Sequence, residues 1–71
     1  MASLINLLNA LGAVDPSRAV ELEVLAKYMG IEVSKLKELV ESLVREGFVL
    51  GSDGKYYLSK AGQRAAMGLI S

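Results

Sequence analysis

The stretch LVREGFVLGSDGKYYLSKAG, residues 43–62, changes its period in the middle, and that change decides the fold. Upstream of Gly47 the apolar residues Leu36, Leu39, Val40, Leu43 and Val44 recur near every 3.6 positions, the period of one helix face. Gly47 closes that helix. Downstream, Phe48-Val49-Leu50 is a short apolar run. Asp53-Gly54 is a strong two-residue hairpin signal, because a type I′ turn needs positive φ at both central positions. Lys55-Tyr56-Tyr57-Leu58 is the returning strand, with Ser52 facing Lys55 and Leu50 facing Tyr57. Tyr56 and Leu58 are expected to pack inward with Val49, leaving Tyr57 as the exposed or dimer-facing ring.

Working outward, Ser34 is read as the N-cap of the helix that runs to Glu46. Ile31-Glu32-Val33 connects it to a preceding helix, about Leu22 to Met29, whose Leu22, Leu25, Ala26 and Met29 share one face. Gly30 ends that helix in the left-handed conformation. Arg18-Ala19-Val20-Glu21 reads as short and extended, after the turn residues Asp15-Pro16-Ser17. A first helix, Ala2 to about Leu11, carries Leu4, Leu7, Leu8 and Leu11 on a stripe that Ile5 leaves. Gly12 is its stop signal. Beyond the hairpin, Ser59 caps a last helix to about Gly68, with Ala61, Ala65, Ala66, Met67 and Leu69 as apolar contacts. Gly62 and Gly68 weaken that helix on propensity alone. No repeat, linker or low-complexity tract interrupts residues 1–71, which read as one domain, mainly α with a small β-hairpin.

Composition narrows the chemistry. The chain has 71 residues, no Cys and no His, so disulfides are excluded and the usual zinc ligands are missing. Eight basic residues balance eight acidic ones, which argues against a strong overall field for nucleic acid but not against a local one. The hydrophobic share of 52% is high for so small an interior and points to a partner subunit. Residues 1–14 carry no charge and lack the basic start of a secretory signal, so a cytoplasmic location is expected. They are also too few to span a bilayer. Catalysis is not expected, since there is no nucleophile-elbow serine, no paired acid and base, and no phosphate loop in Gly51-Ser52-Asp53-Gly54. Neither a cofactor, a metal nor a small-molecule ligand is expected.

Three runs in order carry a family likeness. Leu25-Ala26-Lys27-Tyr28-Met29-Gly30-Ile31 resembles the helix-turn-helix of many bacterial and archaeal transcription regulators. Leu39-Val40-Glu41-Ser42-Leu43-Val44-Arg45-Glu46-Gly47-Phe48-Val49 resembles the end of their recognition helix. Tyr56-Tyr57-Leu58-Ser59-Lys60-Ala61-Gly62 is similar to the exit of their wing. The likeness covers about Leu4 to Met67, in the order helix, strand, helix, helix, hairpin, helix. The chain thus resembles the winged helix-turn-helix proteins, in particular the small stand-alone ones of archaea and their viruses. The resemblance implies double-stranded DNA binding, as a transcriptional regulator or chromatin-type protein, with the third helix in the major groove.

With the apolar stripe inward, Ser34, Glu38, Glu41, Ser42 and Arg45 point out, flanked by Lys35 and Lys37. Ser34, Lys35, Lys37, Ser42 and Arg45 are the candidate DNA contacts on that helix; Lys55 is the candidate at the wing tip. Arg18 and Lys27 could reach the backbone from the turn and the second helix. Glu38, Glu41 and Asp53 oppose phosphates, and a mixed Lys/Glu face is ordinarily a solvated one with i, i+4 pairs. Tyr28 is expected to be a partly buried structural residue.

A homodimer through the first and last helices is expected, with Leu4, Ile5, Leu8, Met67, Leu69 and Ile70 as its interface. The alternative is a winged helix used for protein–protein contact, favoured by the neutral charge and the acidic residues of the third helix. Single-stranded DNA or RNA binding lacks the exposed aromatic platform it needs.

Overall fold

The structure, a computed structural model, describes residues 3–68. Helix α1 (Ser3–Ala10) leads through a 3-10 turn, Pro16–Arg18, to strand β1 (Val20–Glu21). Helices α2 (Leu22–Met29) and α3 (Val33–Arg45) follow, then strands β2 (Val49–Ser52) and β3 (Lys55–Leu58), and helix α4 (Lys60–Ala66). The result is a small mixed α/β domain of four helices and a three-stranded antiparallel sheet in the order β1-β3-β2.

The hairpin forms as its turn chemistry dictates. Asp53 and Gly54 have φ of 55° and 78°, so both central residues are left-handed. Ser52 pairs with Lys55, Leu50 with Tyr57, and Val49 with Leu58. Val49 and Leu58 are fully buried, while Leu50 on the other face is exposed. Both Tyr56 and Tyr57 are half-buried against the core, so Tyr57 is less outward than its alternation suggests. Helix α1 packs on β3. Residues 20 and 21 join β3 as a third strand, Val20 opposite Tyr56 and Glu21 opposite Lys55.

The core draws on every layer: Leu4, Ile5 and Leu8 from α1, Leu25 and Ala26 from α2, Leu36 and Val40 from α3, and Val49 and Leu58 from the hairpin. Ala13 joins them and its carbonyl accepts a hydrogen bond from the Leu58 backbone N–H at 2.8 Å, fastening the end of α1 to the sheet. Helix α1 lies against both α4 and β3, so it is buried on two sides. That is why Ile5, off the leucine stripe, is only 6% exposed.

Two boundaries differ from local preference. Ser34 is not the N-cap of α3: the helix begins at Val33 and Glu32 occupies the cap in extended conformation, with no side-chain capping bond. The Glu32 carbonyl accepts from the Leu36 N–H at 3.0 Å, so the left-handed turn at Gly30 sets where the helix starts, two residues earlier than serine's capping preference. On the outer flanks of α3, Leu39 and Val44 are 37% and 38% exposed, so the buried stripe narrows to Leu36 and Val40 with Leu43 beside them. The narrow stripe suits a helix with one side on the core and the other in water.

At the base of the hairpin three elements are knotted together. Gly47, with φ of 86°, turns the chain out of α3. The Ser59 hydroxyl donates to the Gly47 carbonyl, and the Ser59 oxygen accepts from the Gly62 N–H at 3.1 Å, capping α4. One serine thus ties the end of α3 to the start of α4. Ser59→Ala is expected to cost about 1 kcal/mol, the usual worth of an N-cap, read as a lower urea midpoint at unchanged m-value. An unchanged midpoint would mean that water replaces both bonds.

The 3-10 turn is capped by Asp15, whose carboxylate accepts from the Ser17 hydroxyl at 2.6 Å and the Arg18 N–H at 3.1 Å. The Ser17 hydrogen bond, followed by the Arg18 charge, holds the Asp15 carboxyl below its ordinary value of 3.8. A depressed carboxylate stabilises the fold above its unfolded pKa and loses that contribution as pH falls through the lower folded value. Asp15→Asn is therefore expected to lower stability slightly at neutral pH, where the charged carboxylate contributes, and to leave it nearly unchanged in strong acid, so that the acid limb below pH ~4 flattens. Thermal melts at stepped pH check this.

Candidate nucleic-acid interface

Helix α3 carries the largest set of outward polar groups. Ser34, Lys35, Lys37, Glu38, Glu41 and Arg45 are all exposed, while Ser42 is half-buried and less available. Helical spacing places Lys37, Glu41, Val44 and Arg45 on the side that faces the hairpin. Across an open groove from Glu41, Val44 and Arg45 lie Gly51, Ser52, Asp53, Gly54 and Tyr56. On the strand side the Tyr56 ring lies over its cross-strand partner Gly51, where a Cβ would sit 2.7 Å from the ring. Gly51 and Tyr56 therefore shape the surface, although neither carries a charge that a scan for contact residues would select.

Arg45 and the hairpin tip are brought together; the other sequence candidates spread outward. Lys35 falls on the opposite flank of α3. Lys55 stands exposed at the start of β3, between Glu21 of β1 and Ser52 of β2. Arg18 lies on the 3-10 turn, with its Nε 3.7 Å from an Asp15 carboxylate oxygen, so its charge is partly answered within the chain. Lys27 borders different concavities, one with Val24 and Tyr28 and another with Glu23, Ile31 and Val33. It does not share the α3–hairpin groove.

The i, i+4 pairs expected on the mixed face of α3 do not form. Lys37 and Glu41, and Glu41 and Arg45, have the right spacing, yet the Asp15–Arg18 contact is the one ion pair among the described residues. The cations of α3 are thus free to meet an external anion. Charge is also unevenly shared along the chain: residues 54–71 hold Lys55, Lys60 and Arg64 and no acid, and residues 1–14 are uncharged. All eight acids fall between Asp15 and Asp53. Lys60 and Arg64, both exposed on α4, are cations outside the set expected from the helix-turn-helix and wing.

The expected dimer interface needs correction. Leu4, Ile5 and Leu8 are buried in the chain's own core and have no surface to offer a partner. The cause is the double cover of α1 by α4 and β3. Met67 is 60% exposed, and Leu69 and Ile70 lie outside the described residues. Tyr28 is also not the partly buried residue expected: it is 62% exposed.

Among the described residues no group of three or more His, Cys, Asp or Glu is placed to hold a metal, and no helix is long and apolar enough to cross a membrane. Among the described residues no buried side chain is polar or charged. No protein-family model and no curated protein matches this chain.

Proposed function

We propose that this chain is a winged helix-turn-helix domain that binds double-stranded DNA as a regulator or chromatin-type protein. In this reading α3 lies in the major groove and the β2–β3 hairpin is the wing on the backbone or minor groove. The observation that carries it is the pairing of an exposed, ion-pair-free α3 face with a hairpin tip beside Arg45. Lys35, Lys37, Arg45 and Lys55 supply the phosphate contacts, with Ser34 near the helix N-terminus as a hydrogen-bonding contact. Glu38 on the outermost line can only accept, so it suits cytosine or adenine amino groups and repels phosphates. Binding is accordingly weak on random sequence and strongly dependent on salt.

Anisotropy titration of duplex DNA at stepped salt tests the proposal. Four phosphate contacts predict a log–log slope of roughly −3 to −4, and Arg45→Ala or Lys37→Ala should each flatten it by about 1. Absence of binding at low salt defeats the proposal. A second reading, a protein-binding winged helix, is favoured by one observation, the acids Glu41 and Asp53 in the same groove as Arg45. It predicts no DNA affinity at any salt.

A further inference from the structure

Val24 and Tyr28 lie one turn apart on α2, Ile31 and Val33 follow the left-handed turn at Gly30, and each of the four is more than a third exposed. They make up half of the eight large apolar side chains that stand exposed among the described residues. Helix α2 is therefore apolar on two faces. Leu22, Leu25, Ala26 and Met29 meet the core, whereas Val24 and Tyr28 stand outside it, 38% and 62% exposed. Two adjacent shallow concavities occupy this second face, and Lys27 borders both.

The charges around the patch say what fits it. Glu23 and Glu32 share the second concavity with Lys27. Glu23 and Lys27 have the spacing of a helical ion pair, yet Glu23, Lys27 and Glu32 are unpaired among the described residues. A rim of one sign would suit a partner of the opposite sign. A rim that mixes one cation with two acids suits its own image, because a twofold axis can lay each Lys27 against a carboxylate of the other copy.

We propose that the α2 face is the site where a second copy of this chain docks, by an isologous contact around Val24, Lys27, Tyr28 and Ile31. The stripe anchors the centre, with Tyr28 as the large aromatic group, and Lys27 pairs reciprocally with Glu23 or Glu32 of its twin. None of the residues that line these two concavities lines the groove between α3 and the hairpin. The inference stands independently of DNA binding.

Light scattering on the full chain from low to high micromolar concentration reads the result. The expected mass is twice 7.6 kDa. Tyr28→Glu is expected to give monomer and raise the dimer Kd more than tenfold, with unchanged far-UV circular dichroism, since the ring is exposed. Lys27→Glu should weaken the pair, and mixing it with the Glu23→Lys/Glu32→Lys variant should restore dimer mass. Met67→Glu, on α4, should leave the mass unchanged. A wild-type monomer throughout overturns the inference, as does a dimer that survives Tyr28→Glu or splits with Met67→Glu. The DNA titration is scored separately, so loss of one property leaves the other readable.

Discussion

Gly62→Ala is expected to destabilise this protein severely, although alanine is the better helix former. In an exposed helix interior the change would gain about 1 kcal/mol. At position 62 it meets the opposite outcome, because Gly62 is buried and its missing Cβ makes room for the Phe48 carbonyl. An added Cβ would collide with that oxygen and lie 2.9 Å from Leu58 Cδ2 and 3.1 Å from the Phe48 carbonyl carbon. The flexible leucine tip could yield; the backbone could not. The Phe48 carbonyl accepts from the Ser59 N–H at 3.1 Å, and the Phe48 N–H donates to Leu43 at 3.0 Å, so moving it disturbs both α3 and α4. A loss of about 3 kcal/mol, the upper part of the usual overpacking range, is expected. For a domain of this size that corresponds to a fall in Tm of roughly 12–24 °C. Thermal and urea unfolding measure it, and a raised Tm would show that α4 does not approach Phe48 this closely.

Leu58→Ala should cost about 2–5 kcal/mol and leave much of the population unfolded. Leu58 is fully buried, faces Val49 across the hairpin and holds the end of α1 through its backbone bond to Ala13. Leu50→Ala, on the opposite face of the same sheet, should cost far less, since Leu50 is 42% exposed. The contrast tests register as well as burial. A slip of one residue would exchange the faces and make Leu50 the costly position. Equal urea midpoints for the two variants would count against the described pairing. Because Leu58 lies against Gly62, the effects of Gly62→Ala and Leu58→Ala should not add.

How much of the interface was legible follows from the range of each signal. Helix α3 shows in its period, and the hairpin shows in Asp53-Gly54. Their juxtaposition, Arg45 across a groove from Asp53, depends on the angle at Gly47 and on the bonds that Ser59 makes to Gly47 and Gly62. No pattern within one element carries that angle. Candidate cations could be named from the sequence, but not sorted: Arg45 joins the groove, Arg18 leans on Asp15, and Lys27 belongs to another face. The acids at Glu41 and Asp53 looked like separate objections and turn out to line one surface.

Sequence alone determined the features that act over a few residues. The turn at Asp53-Gly54, the pairing of Ser52 with Lys55 and Leu50 with Tyr57, the left-handed Gly30 and the Ser59 cap all follow from local backbone and hydrogen-bond chemistry. So does the buried face of α2. Tertiary structure alone decided what depends on a neighbour distant in the chain. It buried Ile5 by covering α1 twice, started α3 at Val33, paired β1 with β3, and set the glycine at 62 against Phe48. It also left Tyr28 and Val24 uncovered, because a helix pattern states which residues are apolar and not how many faces the fold will cover.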